Sequence, residues 1–187
     1  MSKGLLEAGI VEHCAPTLAG IKMANLFNYT FQRKQVVLEE LKNINELLNA
    51  RGVYMEPLLW RENSVLIYAY RPKYLQTELE RIEVMELLYD YGYSKSTTRE
   101  CIYHLKKRLY HYECFPHEIG IFLGYPLEDV KGFIENKGKN CKSCGVWKVY
   151  CNEGEKQKLF DKLKKCKQVY IQVFGEGRHL SQMTVLT

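Results

Sequence analysis

Apolar residues recur along the chain at two spacings, and each spacing predicts a different kind of element. From Lys34 to Ala50, Val37, Leu41, Ile44 and Leu48 fall three or four apart, which is one stripe of an amphipathic helix, and Arg51-Gly52 supplies its stop. The stretches "VYMEPLLW" and "SVLIYAYRP" are rich in β-branched and aromatic residues and flank Arg61-Glu62-Asn63, which predicts a hairpin. Leu75, Leu79, Ile82 and Met85 predict a helix from about Tyr74 to Tyr89, broken by "YDYGYS". Ser96 or Thr97 can cap the next helix, which runs roughly to Tyr112.

The ends of the chain are read from punctuation as much as from spacing. A first helix, Leu5–Val11, is expected to break at His13-Cys14-Ala15-Pro16, with Pro16 in the first turn of a second helix from Thr17 to about Phe27. Two short helices meet at Gly124-Tyr125-Pro126, and Gly138 closes the second. A cysteine-bearing loop then leads into the strand "VWKVY". The chain ends in a helix from Glu155 to about Lys165, extendable to Phe174. The sum is an α+β protein, mostly helical, with a small antiparallel sheet, expected as a single compact domain over residues 1–187.

Composition narrows the function classes. Apolar residues make up 46% of the 187 and charged residues 26%, ordinary for a globular chain and unlike a disordered one. No apolar run reaches membrane-spanning length, so no membrane partner is expected. Glu7 and Glu12 interrupt the first segment, which argues against a secretion signal. The seven scattered cysteines then read as reduced thiols in a cytoplasm. The net charge of +5 is uneven: residues 1–130 carry −2 and residues 131–187 carry +7. That makes residues 139–187 a candidate basic C-terminal subdomain, facing an acidic partner protein or nucleic acid, or simply presenting a solvated lysine face.

Several short motifs carry possible chemistry. Glu118, Ile119, Leu123, Gly124, Val130 and Ile134 have helix-turn-helix spacing. The second helix, however, opens on Leu127-Glu128-Asp129, and carboxylates there would repel a phosphate backbone. Sequence-specific DNA binding is therefore not expected, and the motif reads as a packing device. His117-Glu118 lacks the second histidine of a zinc-protease motif, but Pro116 places both residues beside a helix N-terminus. His117 there is a candidate base or ligand and Glu118 an orienting carboxylate, against the plainer reading of a capping Glu and a half-buried His.

His13-Cys14, just before a helix expected to open at Pro16, has the setting that lowers a thiol's pKa, with Lys22 able to add positive charge. The plainer reading is a buried structural cysteine. Cys141 and Cys144 in "CKSCG" form half of a zinc knuckle, with no second CxxC to complete four ligands. Tyr103, His104, Lys107 and Tyr110 can share one helix face, a stacking surface or an ordinary half-buried aromatic stripe.

The blocks "HCAPTLAGIKMANLF", "FPHEIGIFLGYPLEDVKGFIENKGKN" and "CGVWKVY" resemble the signature of an uncharacterised bacterial family, domain of unknown function 3793. The resemblance runs from His13 to the C-terminal helix. It implies a bacterial, cytoplasmic protein, of a kind common in anaerobes, with no established activity. It also implies that Pro116-His117-Glu118 is a family element and that Cys144 with Gly145 is more typical than Cys141.

Two hypotheses result. In the first, His13, Cys14, His117 and Glu118 form one pocket for a small molecule, a transition metal or a metal-containing cofactor, with Cys14 as thiolate. In the second, the chain is a non-enzymatic adaptor docking through Lys156, Lys158, Lys162, Lys164 and Lys165.

Overall fold

Strand β3 (Ser64–Tyr70) is the centre of a three-stranded antiparallel sheet, with β1 (Ala24–Thr30) and β2 (Tyr54–Trp60) on either side. The computed structural model describes residues 4–94, 97–111 and 115–186. The fold is α+β and mostly helical, as the spacing of apolar residues predicts. The chain divides into two compact units, Met1–Tyr74 with Lys165–Thr187, and Leu75–Lys164.

In the first unit, α1 (Leu5–Leu18) and α2 (Lys34–Leu48) pack on one face of the sheet. That face carries Phe27, Met55, Val65, Ile67 and Ala69, which meet Leu6, Ile10 and Cys14 of α1 and Val37, Leu41, Ile44 and Leu48 of α2. The α2 stripe is the one the sequence predicts, and Gly52 ends the following turn at φ 76°. Asn45 of α2 makes two bonds to the backbone of Met55: its Nδ2 donates to the carbonyl (2.9 Å), and its Oδ1 accepts from the amide (2.8 Å). A side-chain amide thereby pairs part of the outer edge of β2.

The N-terminal expectation is corrected here. α1 is continuous through His13-Cys14-Ala15-Pro16, and Pro16 lies in its last turn rather than opening a new helix. The chain leaves the helix at Gly20, which takes φ 71°, and the amides of Ile21 and Lys22 bond the Pro16 carbonyl. The next element is a strand, not a helix to Phe27, because "ANLFNYT" pairs along β3 from Ala24↔Tyr70 to Thr30↔Ser64.

Arg71, at the end of β3, is fully buried. Its guanidinium donates to the carbonyls of Thr17 (2.8 Å) and Leu18 (2.9 Å) at the C-terminus of α1, and to that of Val185 (2.9 Å). It satisfies helix-end acceptors that would otherwise be buried unpaired, and its charge suits the negative end of the α1 dipole.

In the second unit the expected helix from Tyr74 to Tyr89 is two helices, α3 (Pro72–Leu79), whose first turn belongs to the first unit, and α4 (Ile82–Tyr89). α5 (Thr98–His111) is capped by Thr97, whose Oγ1 accepts from the Glu100 amide (3.3 Å) while the Glu100 carboxylate accepts from the Thr97 amide (2.8 Å). Ser96 and Tyr112 lie outside the described residues. α6 (Ile119–Phe122) is a single turn and α7 (Leu127–Glu135) two and a half. A short hairpin of β4 (Ser143–Cys144) and β5 (Lys148–Val149) leads to α8 (Glu153–Gly175) and α9 (Leu180–Met183). α8 starts earlier and runs longer than its polar sequence suggests, and the unit boundary falls within it. Among the described residues no helix is long and apolar enough to cross a membrane.

Candidate functional site

The α6–α7 pair and the β4–β5 hairpin enclose a pocket of about 390 Å³ in the second unit. Gly120 allows α6 and α7 to approach, since a Cβ there would stand 2.8 Å from a Val130 methyl. The Glu118–Ile134 motif does pack as its spacing suggests: Ile119, Leu123 and Val130 are all buried. Of the two carboxylates that open the second helix, Asp129 turns inward and is only 2% exposed, whereas Glu128 stays on the surface.

Asp129 fastens the hairpin. Its Oδ2 accepts from the Trp147 indole N–H (2.8 Å), and its Oδ1 accepts from the amides of Tyr150 (2.8 Å) and Cys151 (3.3 Å). Three donors on one buried carboxylate compensate its desolvation. The indole is fixed further by Tyr125, stacked at 4.8 Å, and by Phe160, edge-on at 4.6 Å. Burial, with the charges of Glu128 and Asp129 adding to it, pushes the Cys151 thiol above its ordinary value.

Two residues singled out from sequence line this pocket together. His117 is exposed and packs edge-on against Phe133, with ring centroids 5.0 Å apart. Cys144 is exposed on β4, paired across the hairpin with Lys148, and both line the same cavity. Cys141, its CxxC partner, is half-buried and is not among the lining residues. Trp147, Lys148, Tyr125 and Phe133 also line it, and sequence reasoning misses them as site residues. The block "CGVWKVY" holds the signal, but on its own its aromatic and basic members read only as strand-formers.

Glu118 behaves differently from its neighbour. Its carboxylate is fully buried and forms an ion pair with Arg108, with the Tyr93 hydroxyl donating to the same oxygen at 3.4 Å. Its Oε2 has no hydrogen-bond partner among the described residues. Burial, with the Glu118 charge adding to it, pushes the Tyr93 phenol far up, so Tyr93 serves as a fixed donor. The expectation that Glu118 orients His117 is corrected: adjacent side chains at the start of a helical turn diverge, one into the core and one into the pocket.

His13 and Cys14 belong to the first unit and His117 and Glu118 to the second. His13 is exposed and stacks on Phe27 at 5.3 Å. Cys14 is fully buried in the core, and burial pushes its thiol well above the ordinary value, outweighing the nearby Lys22. The expected thiolate rested on a helix N-terminus at Pro16. Cys14 sits instead in the body of α1, where no free amide N–H groups face it. Lys22 is itself buried, and burial draws its pKa down to about 7 while its ammonium donates to the Ala24 carbonyl.

Among the described residues no group of three or more His, Cys, Asp or Glu is arranged to hold a metal. His104 turns inward to the Tyr91 carbonyl (3.1 Å), whereas Tyr103 is exposed beneath the Lys107 ammonium (4.6 Å). Lys158, Lys162 and Lys164 stand on α8, while Lys156 is half-buried and pairs with Glu128 at 3.2 Å.

Fold and site together define an α+β protein whose second unit holds an aromatic-walled pocket with an imidazole and an accessible thiol. The chain belongs to the family described as "Protein of unknown function (DUF3793)", which matches residues 10–184. No curated protein and no solved structure matches it.

Proposed function

We propose that the second unit is a small-molecule binding module, with the ligand seated in the α6–α7–hairpin pocket against His117 and Cys144. One observation carries the reading: two motifs separated by more than twenty residues bring an imidazole and an exposed thiol to the same apolar cavity. A volume of about 390 Å³ suits a metabolite-sized ligand. The walls come from rigid elements, with Trp147 held at three points by Asp129, Tyr125 and Phe160. Such a site loses little conformational freedom on binding. His117 is available to hydrogen-bond the ligand, and Cys144 to contact it or to react with an electrophilic one. Cys14, buried and protonated, has a packing role, and Glu118 supports the floor of α6 through Arg108.

The test is a metabolite-fragment screen by two-dimensional NMR, following the Trp147 indole N–H and the amides of His117 and Cys144. Hits that move these three signals, and that weaken in His117→Ala, support the reading. Hits that cluster elsewhere and ignore the substitution overturn it.

A further inference from the structure

Resting on that pocket being a binding site, we infer its ligand class: a flat, conjugated molecule carrying one anionic group, with the anion at Lys148. The walls set the first half. Tyr125, Phe133 and Trp147 line the cavity with aromatic rings. Gly120 and Gly145 lie where an added Cβ would strike Val130 and the Phe160 ring, so close packing behind the wall holds both positions to glycine.

Charge sets the second half. The pocket is lined by one carboxylate and one ammonium, but they are not equally available. Asp129 spends both oxygens on the Trp147 indole and the Tyr150 and Cys151 amides, and the Lys156 ammonium stands 4.0 Å away. Its charge is thus satisfied within the protein. Lys148 uses one of its three donors on the Gly138 carbonyl (2.7 Å) and lies 5.8 Å above the Phe133 ring. No carboxylate pairs with it among the described residues. The pocket therefore offers an ammonium with donors to spare and no acceptor of matching charge. An anion completes that arrangement; a cationic ligand would meet like charge.

The experiment compares two fluorescent probes of one shape, 1-anilinonaphthalene-8-sulfonate and its neutral counterpart N-phenyl-1-naphthylamine. The chain holds two tryptophans and 14 tyrosines, so a Trp60→Phe background with tryptophan-selective excitation leaves Trp147 as the energy donor. The sulfonate should quench Trp147 and bind about tenfold more tightly than the neutral probe, the size of one charge-assisted hydrogen bond. Lys148→Met should erase that advantage without weakening the neutral probe, and Lys148→Arg should keep it. Equal binding of both probes, or an advantage that survives Lys148→Met, overturns the charge assignment and leaves the pocket reading standing. If neither probe quenches Trp147, the pocket reading itself fails.

Discussion

Lys22→Met should change how stability depends on pH, and the size of the change comes from one buried amine. In the folded chain the Lys22 pKa is about 7, against 10.5 for an unperturbed lysine. Between those values the unfolded chain holds a proton that the folded chain has released. Stability therefore rises with pH across this window, by about 1.4 kcal/mol per unit where the difference is fully developed. Below about pH 7 both states are protonated and the whole desolvation penalty is felt. Cys14 is raised on folding, so its contribution changes with the opposite sign once the unfolded thiol ionises near 9.0. From pH 7 to 9 the Lys22 contribution dominates and amounts to about 2 kcal/mol. Urea unfolding of wild type and Lys22→Met at these two pH values, under reducing conditions, isolates it, because the groups common to both chains cancel in the comparison. The wild type should gain about 2 kcal/mol on the variant between pH 7 and 9. A stability difference that stays constant with pH would refute the buried, neutralised amine.

Other consequences are equally direct. Arg71→Met strands the buried carbonyls of Thr17, Leu18 and Val185 and should cost about 3–5 kcal/mol by chemical denaturation; a cost below about 1 kcal/mol would contradict this role. Asp129→Asn puts an amide where three donors converge, so it should cost about 2–4 kcal/mol and shift Trp147 emission to the red. Unchanged emission would show that the hairpin is held some other way. Gly132→Ala drives a Cβ to 2.5 Å from the Tyr150 ring, whereas the helical Gly154 has nothing within 4 Å. The first alanine should destabilise by about 1–3 kcal/mol and the second should be neutral to slightly stabilising, measured side by side by thermal melting.

Local features are legible in the sequence, and features that depend on distant partners are not. The α2 stripe of Val37, Leu41, Ile44 and Leu48 and the hairpin around Arg61-Glu62-Asn63 can be read because spacing and turn residues are neighbours in the chain. β1 reads as helix because Leu26 and Phe27 continue an apolar run, while its true partner, β3, lies some forty residues on. Pro16 reads as a helix opening, yet a proline in a last turn sacrifices one bond and leaves the helix intact. That single difference also reverses the environment of Cys14, from an activating helix terminus to a sealed core. His117 and Cys144 are legible as chemistry, but their shared pocket depends on how the hairpin folds onto α7 through Asp129. Nor does adjacency reveal that Glu118 points away from His117 to meet Arg108.

Entry of ligands into the cavity shared by His117 and Cys144 is the central claim about this protein. Its most direct test is the rate of Cys144 alkylation by iodoacetamide, read by peptide mass spectrometry, with and without saturating anilinonaphthalene sulfonate. Cys144 is exposed, and Cys166, half-buried on α8 outside the pocket lining, serves as the internal control. Cys144 alone should slow, by about tenfold, as the probe covers it. Equal rates at Cys144 with and without bound probe would contradict the claim.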